Sequence, residues 1–423
     1  MRKITFFSLF FICIHLKAQP SLGSIPNIDS IYDAEIMKSL NFNDGVHTVS
    51  MPIIYNNLPY ILNMEFDFLE GSPRRLYYTF KYCEKDWKDS PIDPLEIMQG
   101  VNEVEINQFQ TSFNTYTSYV HYRITLPSSQ IKFRQTGNYL IIIYDQDGQI
   151  YCTRRIFYAG TQFSANLTFI QPVNASFINS HQSINILLNT GNKTVLIPRE
   201  EIQMEIYQNG NPLSKQVLSE PLFFSGNILR YTKDDEILFK AGKEFRSANV
   251  RSLQNKSINV RFWDERKGEF HCFLKDDIIR ADKNYIFNID YNGKMVYTSP
   301  DVPANTANTR SEYFYLHFKL NSPEKLDREV YVYGLISNWR IHEEYKMTYD
   351  EIEKAYKATI YCKNAFIDYA FATLDDKNNI DLSYIEGDWS ETENDYFVLV
   401  YYRPYGGRFD NLMMATKYNS NRS

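Results

Sequence analysis

The sequence predicts an all-β protein made of tandem immunoglobulin-like or early-set β-sandwich domains, and three observations support this class. Short runs of apolar and β-prone residues alternate with turn-forming residues along most of the chain. Tyrosine and phenylalanine supply most of the 16% aromatic content, and both residues favour strands. Strands and turns at short intervals are typical of sandwiches, whereas layers of alternating strands and helices need longer units.

The clearest strand predictions are three runs of aromatic and β-branched side chains, at residues 76–82, 139–144 and 396–402. Tight turns are predicted at Asp147-Gly148 and Asn292-Gly293. Asn, Asp and Gly tolerate the positive φ angles that such turns require. Strand-like runs flank both turns, so each turn predicts a β-hairpin.

One stretch, residues 348–356, favours a helix. Thr348 and Glu351 have the spacing of a capping box, in which the two side chains bond to each other's backbone N–H groups. A single short helix would leave the all-β class unchanged.

The first residues have the pattern of a secretory signal. Met1-Arg2-Lys3 is basic, residues 4–16 are apolar, and Lys17-Ala18-Gln19 ends the run. We therefore expect a signal peptide over residues 1–18 and export to the periplasm. No later apolar run approaches the roughly 20 residues that a membrane-spanning helix requires.

Composition shifts predict two domain boundaries in the remaining chain. Residues 159–161 follow a predicted hairpin, and residues 299–306 are polar and contain two prolines. The expected domains are an N-terminal β-sandwich at 19–160, a central one at 161–300 and an early-set-like one at 301–423.

Charge and cysteine spacing exclude two classes of function. Removal of Arg2, Lys3 and Lys17 with the signal peptide changes the formal net charge from -6 to -9. No basic cluster remains to bind phosphates, so nucleic acid is not an expected partner. The other cysteines are too widely spaced for a metal site; they are Cys83, Cys152, Cys272 and Cys362. Their pairing as disulfides stays open.

The motif search predicts no enzyme, no cofactor and no catalytic or metal residues. The nucleophile elbow, the zinc-protease helix, the phosphate loop and the dinucleotide fingerprint are all missing from the sequence. The histidines of the expected mature chain are isolated in the sequence, which favours packing or surface roles; they are His47, His121, His181, His271, His317 and His342.

Two acidic stretches were weighed as sites. Residues 375–381 concentrate possible calcium ligands but lack the Gly and distal Glu of an EF-hand loop, which favours a polar turn. Residues 386–396 hold carboxylates beside Trp389, as a glycosidase would. Alternating charged and polar residues before a strand favour a solvated loop instead.

An ordered set of motifs over nearly the whole expected mature chain resembles the plug proteins of the type IX secretion system. The motifs are Tyr82-Cys83-Glu84-Lys85-Asp86-Trp87 with Gly100, residues 114–122, Thr136-Gly137-Asn138-Tyr139-Leu140, Gly242-Lys243-Glu244-Phe245-Arg246, residues 386–396, Tyr401-Tyr402-Arg403-Pro404 and Arg408-Phe409-Asp410. Lys243 replaces an Asn of that family, and we interpret the change as a surface substitution.

The resemblance implies a non-enzymatic periplasmic protein of Bacteroidota. Its partner would be the SprA-type outer-membrane translocon barrel, whose periplasmic opening it would close when no substrate passes. It would be peripheral to the outer membrane through this protein partner, with no small-molecule substrate. The docking residues cannot be read from the sequence.

The alternative is a carbohydrate-binding β-sandwich protein of the cell envelope. Its basis is Tyr333-Gly334-Leu335-Ile336-Ser337-Asn338-Trp339, which resembles a turn of starch-binding early-set domains. A shared fold need not retain a sugar site.

Overall fold

The computed structural model describes residues 22–56, 59–254, 257 and 259–421. The predicted signal peptide lies outside the described residues. Strands account for 46% of the chain and helices for 9%, in several sheets, so the all-β class is confirmed. Within the described ranges, no helix is long and apolar enough to cross a membrane.

Residues 22–159 form the first segment. Its strands are β1 (Ser30–Ile31), β2 (Met37–Asn43), β3 (Ile53–Tyr55), β4 (Leu62–Phe68), β5 (Leu76–Cys83), β6 (Met98–Gly100), β7 (Val104–Glu105), β8 (Phe109–Thr111), β9 (Val120–Leu126), β10 (Ile131–Phe133), β11 (Gly137–Asp145) and β12 (Ile150–Ala159).

Residues 160–300 form the second segment. Its strands are β13 (Ser164–Ile170), β14 (His181–Asn189), β15 (Ile202–Gln208), β16 (Gln216–Leu218), β17 (Phe223–Ser225), β18 (Ile228–Tyr231), β19 (Leu238–Lys240), β20 (Arg246–Asn249), β21 (Val260–Arg266), β22 (Glu269–Leu274), β23 (Asp277–Ile278) and β24 (Met295–Tyr297).

Residues 301–421 form the third segment. Its strands are β25 (Tyr313–Asn321), β26 (Val330–Tyr333), β27 (Lys346–Asp350), β28 (Ala355–Lys363), β29 (Ala365–Leu374), β30 (Ile380–Asp381), β31 (Asp395–Tyr402) and β32 (Asn411–Asn419).

The described helices are single turns. The α-helices are α1 (Pro94–Ile97), α2 (Pro198–Glu201), α3 (Ala307–Arg310) and α4 (Ser383–Glu386), and the 3-10 helices are Leu22–Ser24, Ala175–Phe177, Pro212–Ser214, Ala304–Thr306, Leu335–Ser337 and Glu343–Tyr345.

Four sheets are stacked as layers. Their strand orders are β2-β4-β9-β8, β1-β12-β11-β5-β7 with β3 beside β12, β16-β15-β31-β32, and β13-β14-β18-β17 with β19 beside β14. The first two share one core, the second and third share another, and the third and fourth share a third. Strands β11 and β31 are buried along their whole length because each lies in an inner layer.

The largest sheet curls around its own core. Its strand order is β20-β29-β26-β27-β28-β25-β22-β21, with β23, β24 and β30 on side branches. Strands from both ends of this order, β20 and β21, contribute to the same apolar cluster. A small separate sheet pairs β10 with β6.

The three clearest strand predictions are confirmed by β5, β11 and β31. The predicted turn at Asp147-Gly148 also joins two paired strands, β11 and β12. The immunoglobulin-like or early-set type of the sheets stays a prediction.

The predicted domain boundaries at 160/161 and 300/301 also stay predictions. Two sheets contain strands from both sides of the second boundary. Strand β15 of the second segment pairs with β31 of the third over seven residues. Strand β20 of the second segment likewise pairs with β29 of the third, over four residues. Residues 161–300 and 301–421 therefore build two of their sheets together.

The helix prediction for residues 348–356 is wrong. Thr348 lies in β27, which pairs with β28 as a hairpin. Asp350 Oδ1 accepts hydrogen bonds from the backbone N–H groups of Ile352 and Glu353, both at 2.9 Å. The side chain thus closes a turn, and this local bond competes with the helix that the capping-box spacing predicted.

Candidate docking surface

An exposed run of apolar side chains precedes Asn292-Gly293; we call residues 285–291 the docking segment. Its large apolar members are exposed, and Ile289 is 83% accessible to solvent. The others are Ile286, Phe287 and Tyr291. Exposed apolar residues grouped in this way mark interaction sites more often than isolated ones do.

The docking segment is a strand-like sequence without a strand partner in the described structure. Asn292 and Gly293 have the positive φ angles predicted for a tight turn, 56° and 78°. The chain after the turn forms β24, which pairs with β29. The chain before it belongs to no sheet, so the predicted hairpin is wrong. Apart from the Tyr291 N–H, which bonds to Asp368, its backbone takes part in no sheet pairing in the described structure.

Two buried carboxylates hold the end of the docking segment. Asp290 Oδ1 accepts the N–H of Asn292 at 2.9 Å, and its other oxygen accepts the N–H of Phe245. The carboxylate of Asp368 accepts the N–H of Tyr291. Burial and the charge of Asp368 raise the pKa of Asp290 to about 8, and burial raises the pKa of Asp368 to about 6. The anchor is therefore sensitive to pH.

The start of the docking segment is held by two of the family-like motifs. Tyr285 donates its hydroxyl proton to the carboxylate of Glu244 and lies 3.2 Å from the carbonyl oxygen of Glu391. Lys243 Nζ lies 5.4 Å from the centre of the Trp389 ring and donates to the carbonyl of Arg280 at 2.6 Å. Lys243 therefore ties loops together while its side chain stays partly exposed, which is compatible with its interpretation as a surface substitution.

A buried ion cluster lies beneath these motifs. Arg246 Nη2 lies 3.0 Å from Glu386 Oε2, and Arg280 also contacts that carboxylate. Burial alone would raise the pKa of Glu386, but the two guanidinium groups lower it to about 2. Arg246 also pairs with Asp277 at 2.7 Å. Glu386 is therefore structural and not part of the solvated loop that the sequence predicted.

The N-terminal motif meets the last motifs at a second junction. Arg403 Nη2 contacts the carboxylate of Glu84 and lies 2.8 Å from Asp410 Oδ2. Tyr82 donates its hydroxyl proton to the Asp410 carbonyl at 2.6 Å. These bonds join the first segment to the end of the chain, so motifs far apart in sequence fix two layers to each other.

A third junction joins the first segment to the largest sheet. The carboxylate of Glu312 accepts the backbone N–H groups of Tyr116 and Thr117, at 2.6 and 3.1 Å. Tyr119 donates its hydroxyl proton to the Ser311 carbonyl at 2.9 Å. The motif at 114–122 therefore stabilises contact between segments.

The acidic stretch at 375–381 and the cysteines, which the sequence analysis considered as ligands or disulfides, have structural roles. Asp375 Oδ1 accepts the N–H groups of Lys377 and Asn379, so residues 375–379 form the predicted polar turn and residues 380–381 form β30. No metal-binding group of three or more suitable side chains occurs among the described residues. The four cysteines of the described chain are buried and free: Cys83, Cys152, Cys272 and Cys362.

The histidines are less isolated than their spacing indicated. His271 Nδ1 lies 2.9 Å from His317 Nε2, on adjacent strands β22 and β25. Burial and the charge of His271 lower the pKa of His317 to about 4. His121 Nδ1 lies 2.8 Å from Asp67 Oδ1. Both arrangements fit packed structural histidines.

Trp339, the basis of the carbohydrate hypothesis, is only 4% exposed. Its ring packs against Tyr333 and Phe245, with centroid separations of 5.5 and 5.9 Å. A sugar-binding tryptophan needs an open ring face for stacking, and here neighbouring rings occupy that position. The structure gives this hypothesis no exposed aromatic platform at Trp339.

Comparison with known proteins supports the reading of the motifs. Residues 37–159 match the family model described as type 9 secretion system plug protein 1st domain. This match supports assignment of the chain to the type IX secretion plug family. This assignment indicates a role in type IX secretion, a location in the cell envelope, association with a component of the translocon, and a function that is in general non-enzymatic.

One solved structure extends the likeness of this plug-family chain beyond its first domain. The crystal structure of a hypothetical protein from Parabacteroides merdae ATCC 43184 aligns with a TM-score of 0.87 and 25% identity. The alignment covers 94% of this chain and 100% of the other. None of the curated proteins matches the chain.

Sequence reasoning missed the docking segment as a site. The strand-like run at residues 285–291, followed by Asn292-Gly293, predicts one arm of a hairpin and not an interaction site. The pattern reports that a segment suits an extended conformation, and it does not report whether a partner strand exists in the same chain.

Proposed function

We propose that this protein is a non-enzymatic plug in the periplasm, which docks on the SprA-type outer-membrane translocon barrel and closes its periplasmic opening when no substrate is being carried. The first-domain match at residues 37–159 carries the proposal. A pore wide enough for folded cargo would leak when idle, so a cover is required.

Rigidity of the layered body supports this role. Domains joined by small polar interfaces move relative to each other, whereas large apolar interfaces hold them together. Here the inner faces of the second and third layers share a core that includes Leu140 and Ile142 from β11 and Leu399 and Tyr401 from β31. Strands of the second and third segments also hydrogen-bond to each other within shared sheets, which adds to this rigidity. Such a body can cover an opening without deforming.

The docking segment supplies the contact in this proposal. A partner strand placed beside residues 285–291 would gain backbone hydrogen bonds, as in β-strand addition, while exposed apolar side chains would fill pockets. Aromatic residues such as Phe287 and Tyr291 are enriched at interface centres. We propose the translocon barrel as the occupant because assignment to the plug family indicates association with a translocon component.

The test is affinity purification from detergent-solubilised outer membranes, with mass spectrometry of retained proteins. The wild type is expected to retain a very large barrel in near-stoichiometric amount. A variant with Phe287→Asp and Ile289→Asp is expected to lose at least about 90% of it, since each charge would be placed in the apolar interface. The matched control is Ile352→Asp, at a residue 93% exposed in the turn between β27 and β28.

Two outcomes would contradict the proposal at different points. Full retention of the barrel by the double variant would remove the docking segment from the interface. Failure of the wild type to retain any barrel would argue against docking itself. Closure is tested separately, by comparing solute leakage through the reconstituted barrel with and without the protein.

A further inference from the structure

A narrow crevice lies where the three segments meet, and no residue of the docking segment lines it. Its volume is about 130 Å³. The first segment contributes Trp87 and Arg154 to its lining, the second contributes Lys215, and the third contributes Asn338 and Trp339. The crevice is therefore complete only when the whole chain is folded.

The crevice carries an uncompensated positive charge. Arg154 is only 5% exposed, and its described hydrogen bond is to the carbonyl of the adjacent Thr153, at 3.2 Å. Within the described residues it makes no ion pair. Asp29 alone is acidic among the described lining residues. Burying an unpaired guanidinium is costly, so this arrangement points to an anion that completes it.

Neighbouring cations strengthen the same field. Arg155 lies 4.6 Å above the Trp87 ring and donates to the Asn27 carbonyl at 2.8 Å. Arg340 follows Trp339 in the chain, and burial together with the charges of Arg154 and Arg155 lowers the pKa of Arg340. Arg340 has no ion pair in the described structure. Arg154 and Arg155 therefore line the crevice, and the charge of Arg340 acts on them from outside its lining.

Two hydrogen-bonding groups of the lining also lack partners. Trp339 Nε1 and Ser50 Oγ are buried and make no hydrogen bond to any described group. Both residues line the crevice. A buried indole N–H without an acceptor is uncommon in folded proteins. An oxyanion could accept from Trp339 and from Arg154 together.

The remaining walls are apolar. Leu40, Phe42, Met51, Phe157 and Leu335 line the crevice beside the charged groups. A hydrated inorganic ion would leave these side chains in contact with water. The lining fits a ligand with one anionic end and an apolar body, in the usual design of small-molecule sites.

We propose that this crevice binds a carboxylate carried on an apolar or aromatic body. The guanidinium of Arg154 pairs with the carboxylate, the indole N–H of Trp339 donates to it, and the apolar walls hold the body. The carboxylate can belong to a small organic acid or to the free C-terminus of a peptide that ends in an apolar residue. Nothing in the proposed docking on the translocon requires this site.

The first test is calorimetric titration of the full chain with phenylacetate and with phenylacetamide. Phenylacetate is expected to bind at least about tenfold more tightly, because charge-assisted hydrogen bonds to the guanidinium are lost in the amide. A second arm compares a tripeptide ending in Phe with its C-terminally amidated form. Preference for phenylacetate identifies a small acid as the source, and preference for the free peptide alone identifies a chain terminus.

Indole resonances locate the site independently of affinity. The chain has four tryptophans, Trp87, Trp263, Trp339 and Trp389, so its indole N–H signals are few enough to assign by substitution. Ligand is expected to shift the Trp339 and Trp87 signals and to leave those of Trp263 and Trp389 in place.

Variants distinguish specific binding in the crevice from non-specific attraction of anions to positive charge. Arg154→Gln and, separately, Arg340→Gln are expected to weaken phenylacetate binding, by about tenfold for Arg154→Gln. Arg340 lies outside the crevice lining and partly faces solvent, so its variant is expected to fold even if the Arg154 variant does not. The control is Arg266→Gln, an exposed arginine paired with Asp264 at 2.7 Å. Equal binding of acids and amides, or unchanged binding in both the Arg154 and the Arg340 variants, would overturn the proposal.

Discussion

Lys363 Nζ lies 2.7 Å from Asp67 Oδ2, in a buried ion pair that joins the largest sheet to the first segment of the chain. Tyr313 donates its hydroxyl proton to the same carboxylate oxygen at 2.8 Å, and His121 Nδ1 lies 2.8 Å from the other oxygen. The ammonium group is also 4.1 Å from the centre of the Tyr119 ring. Both oxygens of the Asp67 carboxylate are thus bonded within a buried polar network at this junction.

Replacement of Lys363 by Met is expected to destabilise the protein by about 3–5 kcal/mol, because the carboxylate of Asp67 would remain buried without its cation. The free energy of unfolding is measured by urea titration. Lys354→Met serves as the control, since Lys354 pairs with Glu351 at the surface and exposed pairs contribute about 0–1 kcal/mol. Equal losses for the two variants would contradict the role given to the buried pair.

The Glu386 cluster predicts an acid-dependent loss of stability. The pKa of Glu386 is about 2 in the folded chain and 4.5 is its ordinary value. The unfolded state therefore binds more protons between these values, and stability falls as the pH is lowered from about 4.5 towards 2. The difference corresponds to about 3 kcal/mol, as an order of magnitude.

Glu386→Gln is expected to remove this part of the pH dependence and to lower stability at pH 7 by a similar amount. Urea titrations at pH 7, 4 and 3 measure both effects. Glu391→Gln, at an exposed position, is the control. An unchanged acid profile in the Glu386 variant would show that its ion pairs do not stabilise the fold.

The raised pKa of Asp290 predicts the opposite effect near neutral pH, where stability falls as the pH rises. Its pKa is raised from 3.8 to about 8, so the folded state binds more protons than the unfolded state between these values. Stability contributed by the protonated group is therefore lost as the pH rises from about 4 to 8. The docking segment should open more readily at pH 8 than at pH 5.

Hydrogen exchange of the Phe245 and Asn292 amides, both bonded to Asp290, measures this opening. After correction for the intrinsic effect of pH, protection is expected to fall between pH 5 and 8 in the wild type. Asp290→Asn keeps an acceptor but cannot ionise, so its protection is expected to change less. Asp264→Asn, at the surface, is expected to behave as the wild type; an identical fall in the Asp290 variant would contradict the prediction.

Gly387 is required by both its conformation and its surroundings. Its φ is 81°, and an added Cβ would lie 2.9 Å from the carbonyl oxygen of Ala281. Gly406 has a similar φ of 75° but open space around it. Gly387→Ala is therefore expected to cost about 1–3 kcal/mol more than Gly406→Ala, as thermal unfolding can measure. Equal costs would mean that the close contact relaxes freely.

The all-β fold class and many strands could be predicted from the sequence because buried positions require apolar residues, and these are visible in the sequence. The run at 139–144 is apolar at every position, and the structure explains why: β11 lies in an inner layer with cores on both faces. Asp147-Gly148 likewise specifies its turn locally. Such features depend on neighbours in the sequence and on burial, and both can be inferred from residue types.

Partner choice could not be predicted. The run at 396–402 identifies a buried strand, yet nothing in it specifies pairing with β15, almost two hundred residues earlier. Glu386 resembled a loop carboxylate because its arginine partners, Arg246 and Arg280, are distant in sequence. The same limit concealed the crevice at Arg154, whose lining comes from three segments.

Because β31 pairs with both β15 and β32, completion of the sheet depends on residues 395–419, which are far from β15 in the sequence. Until Asp395–Tyr402 is present, β15 has an open edge and two cores lack one wall. A product shortened before residue 395 would expose apolar surface and become a substrate for quality-control proteases. Under the proposed role, only a finished molecule could then occupy the translocon, and a fragment would be degraded before it could obstruct secretion.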